Sequence, residues 1–238
     1  PHFLLLTDDL AMSLNIIVTG GFGALGSVVS AAFHQRGHQV CRVDYASSSS
    51  TSGISTMDLA AIDLCNAEEC AGVMENVLHR MGGLDVLINI AGGFCWETLQ
   101  DGDIGNWERM HRMNVLTAAT MTQAALPAIR RSDCGRIINI GALGALAADA
   151  GLGAYAASKS GVHRMTEALA KELADTKVTI NALLPSIIDT DANRQAMPEA
   201  DTRQWVSPSA IADVMLFLCS AEAASISGAL LPVSRGGV

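Results

Sequence analysis

Aromatic side chains are scarce in this sequence: Phe, Trp and Tyr make up 4% of 238 residues, and charged residues only 16%. So few rings argue against an aromatic-rich β-sandwich. With half the chain hydrophobic and a mean hydropathy of +0.31, general disorder is excluded, because disorder needs low hydrophobicity and high charge. Positive charge is also short: 15 Lys and Arg face 24 Asp and Glu, a formal net charge of −9. That field repels phosphate backbones, so nucleic acid is not an expected partner, although backbone N–H groups can still hold a nucleotide cofactor. The six cysteines, Cys41, Cys65, Cys70, Cys95, Cys134 and Cys219, form no CxxC and have no paired histidines, so neither a metal site nor a disulfide framework is expected. They read as reduced thiols of a cytoplasmic protein. Long apolar runs are missing too. The tempting uncharged stretch, 137–148, is 12 residues long and contains Asn139, Gly141 and Gly144, too short to span a membrane. Phe3-Leu4-Leu5-Leu6 runs at once into Thr7-Asp8-Asp9, unlike a signal peptide. Residues 1–11 read as a leader or extension, Met12 as a natural start, and 12–238 as a single domain.

What is present is an alternation of strand-like and helix-like segments. Strands are expected at 15–19, 39–44, near Ile62, and at 84–89, 136–140, 178–184 and 229–233. Helices are expected at 24–36, 67–81, 107–126 (ended by Pro127), 155–175 and 208–220. Ser47 to Thr56 reads as a flexible serine-rich connection. The strands are near-continuous apolar runs such as Val86-Leu87-Ile88, the pattern of a parallel sheet buried on both faces. The fold expected is α/β, one doubly wound domain.

Between the first strand and first helix lies Thr19-Gly20-Gly21-Phe22-Gly23-Ala24-Leu25-Gly26. Glycines there permit positive φ and bring the main chain close to a pyrophosphate resting on the helix N-terminus. Asp44, closing the second strand, is placed to accept both hydroxyls of an adenosine ribose and to repel a 2′-phosphate. NAD(H) is therefore favoured over NADP(H), with Arg42 the one residue that weakens that preference. Tyr155 and Lys159, four apart on one helix face, form a second constellation. A neighbouring ammonium is expected to pull the phenol below its usual value of about 10 and ready it for proton transfer.

With these motifs in view, residues 15–238 resemble the short-chain dehydrogenase/reductase family. The resemblance extends to Asn89-Ile90-Ala91-Gly92, Asn114, Pro185 through Thr190, Ser227-Gly228 and Gly236-Gly237. It implies a single Rossmann domain with a mostly seven-stranded parallel sheet, acting as an NAD(P)-dependent oxidoreductase on a small molecule. It implies Tyr155, Lys159 and Asn114 as catalytic residues, Lys159 also gripping the nicotinamide ribose and Asn114 holding a relay water. It implies cofactor contacts from Gly20, Gly21, Phe22, Gly23, Ala24, Leu25, Gly26, Asp44, Asp63, Leu64, Asn89, Ala91, Gly92, Tyr155, Lys159, Pro185, Ile188 and Thr190. Helices 107–126 and 155–175 carry surplus apolar and small residues, and such helices often join subunits in this family, so a homodimer or homotetramer is expected.

Three positions depart from the family pattern. Ala24 stands where a glycine is usual, Ser186 replaces the glycine after Pro185, and Ala142 occupies the place of the catalytic serine, 13 residues before the tyrosine. Losing such a donor typically costs about 10²–10³ in rate. These departures are similar to those of dihydropteridine reductases, as are Ala91-Gly92-Gly93-Phe94, Val162-His163, and Asn193-Arg194 with Met197 to Asp201. That likeness implies hydride delivery to an electron-poor quinonoid or imine-like substrate that asks less of a hydroxyl clamp. Two alternatives stay open on Ala142: a weakened carbonyl reductase, or a non-catalytic NAD(H)-binding sensor or scaffold. Substrate contacts are expected from Ala142, Phe94, Trp96, Asn193 and Arg194. Cys95 and Trp205 are further candidates, and His163 reads mainly as a packing or subunit-contact residue. Residues 189–205 read as a lid, and Met110 and Met113 as core.

Overall fold

The computed structural model describes residues 13–234; the segment read as a leader, Met12 and the Gly236-Gly237 pair lie outside them. Seven strands form one sheet in the order β3-β2-β1-β4-β5-β6-β7, every neighbouring pair parallel. The strands are β1 (Asn15–Thr19), β2 (Gln39–Val43), β3 (Met57–Leu59), β4 (Val86–Asn89), β5 (Arg136–Ile140), β6 (Thr179–Pro185) and β7 (Leu230–Val233). Seven α-helices accompany them: α1 (Ala24–His34), α2 (Ala67–Met81), α3 (Gly105–His111), α4 (Thr117–Ile129), α5 (Gly153–Glu172), α6 (Asp191–Ala196) and α7 (Pro208–Cys219).

Strand alternation divides the core in two. Ile17, Cys41, Leu87, Ile137 and Ile180 face α2, α4 and α5. Ile16, Val18, Val40, Val86, Ile88 and Ile138 face α1 and α7. Both faces are dry, which is why the strands read as unbroken apolar runs. Helix ends follow local chemistry: Asn66 accepts from the N–H groups of Glu68 and Glu69 to start α2, and Gly82 at φ 78° ends it in the left-handed region that favours glycine.

Some boundaries differ from expectation. The third strand is Met57–Leu59, upstream of Ile62. The expected helix 107–126 is α3, then a π-helical turn over Arg112–Leu116, then α4, which runs through Pro127 to Ile129. Proline does not end it because the carbonyl that loses its partner, four residues back, belongs to exposed Gln123 on the solvent side. Within the expected lid, 189–205, lie α6 and a 3-10 turn, while Trp205 is buried.

Candidate active site

β1, β2 and β4 end side by side, where the strand order reverses direction, the place at which doubly wound sheets open a crevice. A cleft of about 910 Å³ lies there, lined on one side by Gly20, Phe22, Gly23, Ala24, Leu25 and Gly26. Asp44, Asp63, Leu64, Ala91 and Gly92 complete the expected wall. Gly20 has φ 64°, and a Cβ on Gly26 would stand 2.1 Å from the Gly20 carbonyl oxygen, so the loop closes on bare main chain. Gly21 lies outside the lining; a Cβ there would meet Arg42 Cβ at 2.6 Å. The Asp44 carboxylate accepts from the Phe22 N–H at 2.9 Å and the Ala46 N–H at 3.0 Å, which fixes its position at the rim. Asp63 accepts from the Cys65 N–H and pairs with Arg112 across the cleft floor at 3.2 Å.

The cleft ends at Gly92, and α5 stands beyond it. A Cβ on Gly92 would lie 3.4 Å from Lys159 Nζ and 2.5 Å from Asn114 Oδ1, so only glycine lets the loop pass. Asn114, in the π-helical turn, accepts from the Gly93 N–H at 2.8 Å, donates to the Gly93 carbonyl at 3.1 Å and donates to Ser158 Oγ at 2.8 Å. Ser158 in turn donates to the Tyr155 carbonyl at 2.7 Å. Asn114 thus ties the cleft loop to the first turn of α5 through its side chain. π-turns often mark functional sites, because the extra residue re-aims a side chain.

The expected depression of the Tyr155 phenol is corrected. Burial pushes Tyr155 up to about 12 and Lys159 down to about 8. The Lys159 ammonium is directed elsewhere, donating to the Ile140 carbonyl at 2.9 Å. At neutral pH the phenol keeps its proton and is a donor. Phe94, 63% exposed, meets the Tyr155 ring edge-on with centroids 4.9 Å apart. Ala142 is buried and tied to α5 through His163: its N–H donates to His163 Nε2 at 3.3 Å, and a Cβ on Gly141 would lie 2.4 Å from the same nitrogen.

The profile of the short chain dehydrogenase family matches residues 14–201. The chain belongs to that family. It is 29% identical to the 3-oxoacyl-(acyl-carrier-protein) reductase of Vibrio cholerae over 234 residues, covering 92% of this chain and 95% of the relative. Among solved structures, a short chain dehydrogenase from Burkholderia cenocepacia in complex with NADP superposes with TM-score 0.82 at 26% identity, covering 92% and 96% of the two chains. An NAD+-bound xylitol dehydrogenase superposes with TM-score 0.82 at 19% identity over 93% and 97%, a likeness of fold.

Several expected site residues of this short-chain dehydrogenase have other duties. Asn89 is buried in the sheet, donating to Thr122 Oγ1 and Asn139 Oδ1, away from the cleft lining. Pro185 ends β6, and Ile188 bridges to Val206. Thr190 caps α6 by accepting from the Asn193 N–H, while Asn193 donates to the Ile188 carbonyl. Arg194 is held by Asp189 at 2.6 and 2.8 Å. The Trp96 indole donates to the Ala150 carbonyl at 3.1 Å and packs on Gly151. Met110 is in the core as expected, but Met113 is corrected: it is 37% exposed and lines the cleft with Arg109 and Arg112. Thr19, Ser158, Arg109 and Arg112 escaped the sequence reading. Thr19 Oγ1 accepts from the Ile90 and Ala91 N–H groups and so hangs the cleft loop on β1. Its signal was a hydroxyl ending the strand just before the glycine loop; Arg109 and Arg112 gave none.

Proposed function

We propose that this protein is an NADH-linked reductase of a small, planar, electron-poor substrate, a quinonoid dihydropterin being the leading candidate. The observation that carries the reading is the junction at Gly92. There a glycine-walled cleft with a carboxylate rim reaches Lys159 Nζ, which shares α5 with the protonated phenol of Tyr155 one turn earlier. The cleft fits a dinucleotide: Gly20 and Gly26 bring main chain against it, and the start of α1 presents its first-turn N–H groups. Asp44, fixed by two backbone N–H groups, favours a ribose bearing free hydroxyls over one bearing a phosphate.

The nicotinamide supplies hydride exchange at its ring carbon. The chain's own residues do the rest. Tyr155 holds a proton for the substrate atom that gains charge, and Lys159, whose ammonium donates to the Ile140 carbonyl beside Gly92, would hold a ribose hydroxyl of the cofactor. Asn114 and Ser158 hold the first turn of α5 in register with the cleft loop. Phe94 offers a ring for a planar substrate to stack against. An imine-like centre needs no second hydroxyl donor, which suits the alanine at 142. Asn193 and Arg194, each bonded within the 188–194 segment, serve as its frame. A homodimer or homotetramer through α4 and α5 belongs to the same reading.

The decisive assay is steady-state NADH oxidation with a quinonoid dihydropterin beside a panel of ketones and diketones. Turnover of the pterin is expected, with Tyr155→Phe lowering kcat about 10²–10⁴-fold while NADH binding is retained. Ketone turnover alone would turn the reading to the weakened carbonyl reductase that Ala142 also suits. NADH binding with no turnover would leave a sensor or scaffold.

A further inference from the structure

Arg42 is the largest fully buried side chain among the described residues, and its guanidinium stays charged. All five of its N–H donors are engaged. Nε donates to Asp58 Oδ1 at 2.8 Å, and Nη2 donates to Asp58 Oδ2 at 2.5 Å and to the Thr51 carbonyl at 3.0 Å. Nη1 donates to Ser49 Oγ at 3.1 Å and to Thr51 Oγ1 at 2.8 Å. The cation also lies 5.1 Å from the centroid of the Phe22 ring, within cation–π range.

The location matters more than the count. Arg42 lies on β2, two residues before Asp44, which follows the strand's last residue, and its Cβ would be 2.6 Å from a Cβ on Gly21, so it stands directly behind the glycine loop. Phe22 and Asp44 line the cleft, as do Ser48, Ser49 and Ser50, yet Arg42 does not. The cation is thus one layer behind the adenosine end of the site, fastening the serine loop that forms its outer wall. Asp58, on edge strand β3 with its side chain 36% exposed, is the only carboxylate bonded to it among the described residues; Ser55 donates to the same carboxylate at 2.7 Å. Guanidinium and serine hydroxyls together make a strong phosphate-binding set, and here the set is turned inward onto a carboxylate.

We propose that Asp58 is a specificity-determining positioning residue: by holding Arg42 in a closed, buried cluster it keeps the nearest cation out of the cleft and so suppresses recognition of a 2′-phosphate. This deepens the dinucleotide reading of the cleft and rests on it. Removing the Asp58 carboxylate releases the guanidinium and the Ser48–Ser50 wall toward the ribose.

The test measures binding of 2′,5′-ADP and 5′-AMP by calorimetry, alongside NADPH and NADH by fluorescence, for the wild type, Asp58→Ala and the double variant Arg42→Met/Asp58→Ala. Asp58→Ala is expected to shift the affinity ratio toward the 2′-phosphorylated ligand at least tenfold, and the double variant to lose that gain. An unchanged ratio in folded Asp58→Ala overturns the proposal. So does a gain that persists in the double variant, since it would then come from lost negative charge alone. Should the alanine protein not fold, Asp58→Asn, which keeps the shape, is held to the same two outcomes. Wild-type protein that binds none of the four ligands would instead defeat the dinucleotide reading itself, a result separate from any change in ratio.

Discussion

Gly26 lies at the helix start with no room for even a methyl group. A Cβ there would press on the main-chain oxygen of Gly20 at 2.1 Å and on Gly21 Cα at 2.8 Å, and backbone gives way less readily than a side-chain tip. Overpacking of this kind costs about 1–3 kcal/mol. Gly26→Ala is therefore expected to lower the melting temperature by several degrees and weaken NADH binding at least tenfold, read by thermal denaturation and fluorescence titration. Ala24, in contrast, stands where a glycine is usual in the family yet is exposed and lines the cleft. The requirement for glycine is thus set by the approach of Gly20, not by the motif's spelling.

At the level of the element, α5 carries the chemistry on one face and its own support on the next. Lys159 Nζ stands beside Gly92 at the cleft wall, and Tyr155, one turn earlier, packs its ring on Phe94. His163, one turn beyond Lys159, is buried and accepts from the Ala142 N–H, two residues beyond the end of β5. Burial, followed by the charges of Arg164 and Lys159 and against the pull of Glu167, holds the His163 imidazole down to about 4. An unfolded chain takes up that proton near pH 6.5, whereas the folded one refuses it until about 4. The contribution to stability is full above pH 6.5 and is lost progressively as pH falls toward 4. The melting temperature of the wild type is expected to fall more steeply between pH 6.5 and 5 than that of His163→Gln, whose amide oxygen still accepts from the Ala142 N–H. Equal slopes would remove His163 as the group responsible. The π-turn of Arg112–Leu116 is the other element-level device: one extra residue per turn aims Asn114 at both Gly93 and Ser158.

For the molecule as a whole, a dinucleotide that occupied the cleft at the carboxyl ends of β1, β2 and β4 and bound the folded state alone would stabilise it. At about 100 times its dissociation constant a ligand adds about 2.7 kcal/mol. For a chain of this size that is a rise of roughly 5–10 °C. Thermal melts with and without NADH are expected to show it; superimposable melts would contradict a dinucleotide site. Among the described residues no helix is long and apolar enough to cross a membrane, and no cluster of His, Cys, Asp and Glu is disposed to hold a metal ion.

Local chemistry made much of this readable from the chain alone. Apolar runs separated by capped, amphipathic segments dictate a parallel sheet covered on both sides, because a strand buried twice has no polar face to show. The glycine loop and the Tyr155–Lys159 pair each lie within a few residues, so their placement, on the cleft wall and on one helix, was legible. What depends on atoms far apart in sequence was not. The partner of Arg42 lies 16 residues on, at Asp58. Asn114 and Ser158 are separated by 44 residues. Asn89 turned from the cleft to Asn139 and Thr122. The protonation states of Tyr155 and Lys159 were decided by burial, which the fold creates and sequence spacing does not reveal.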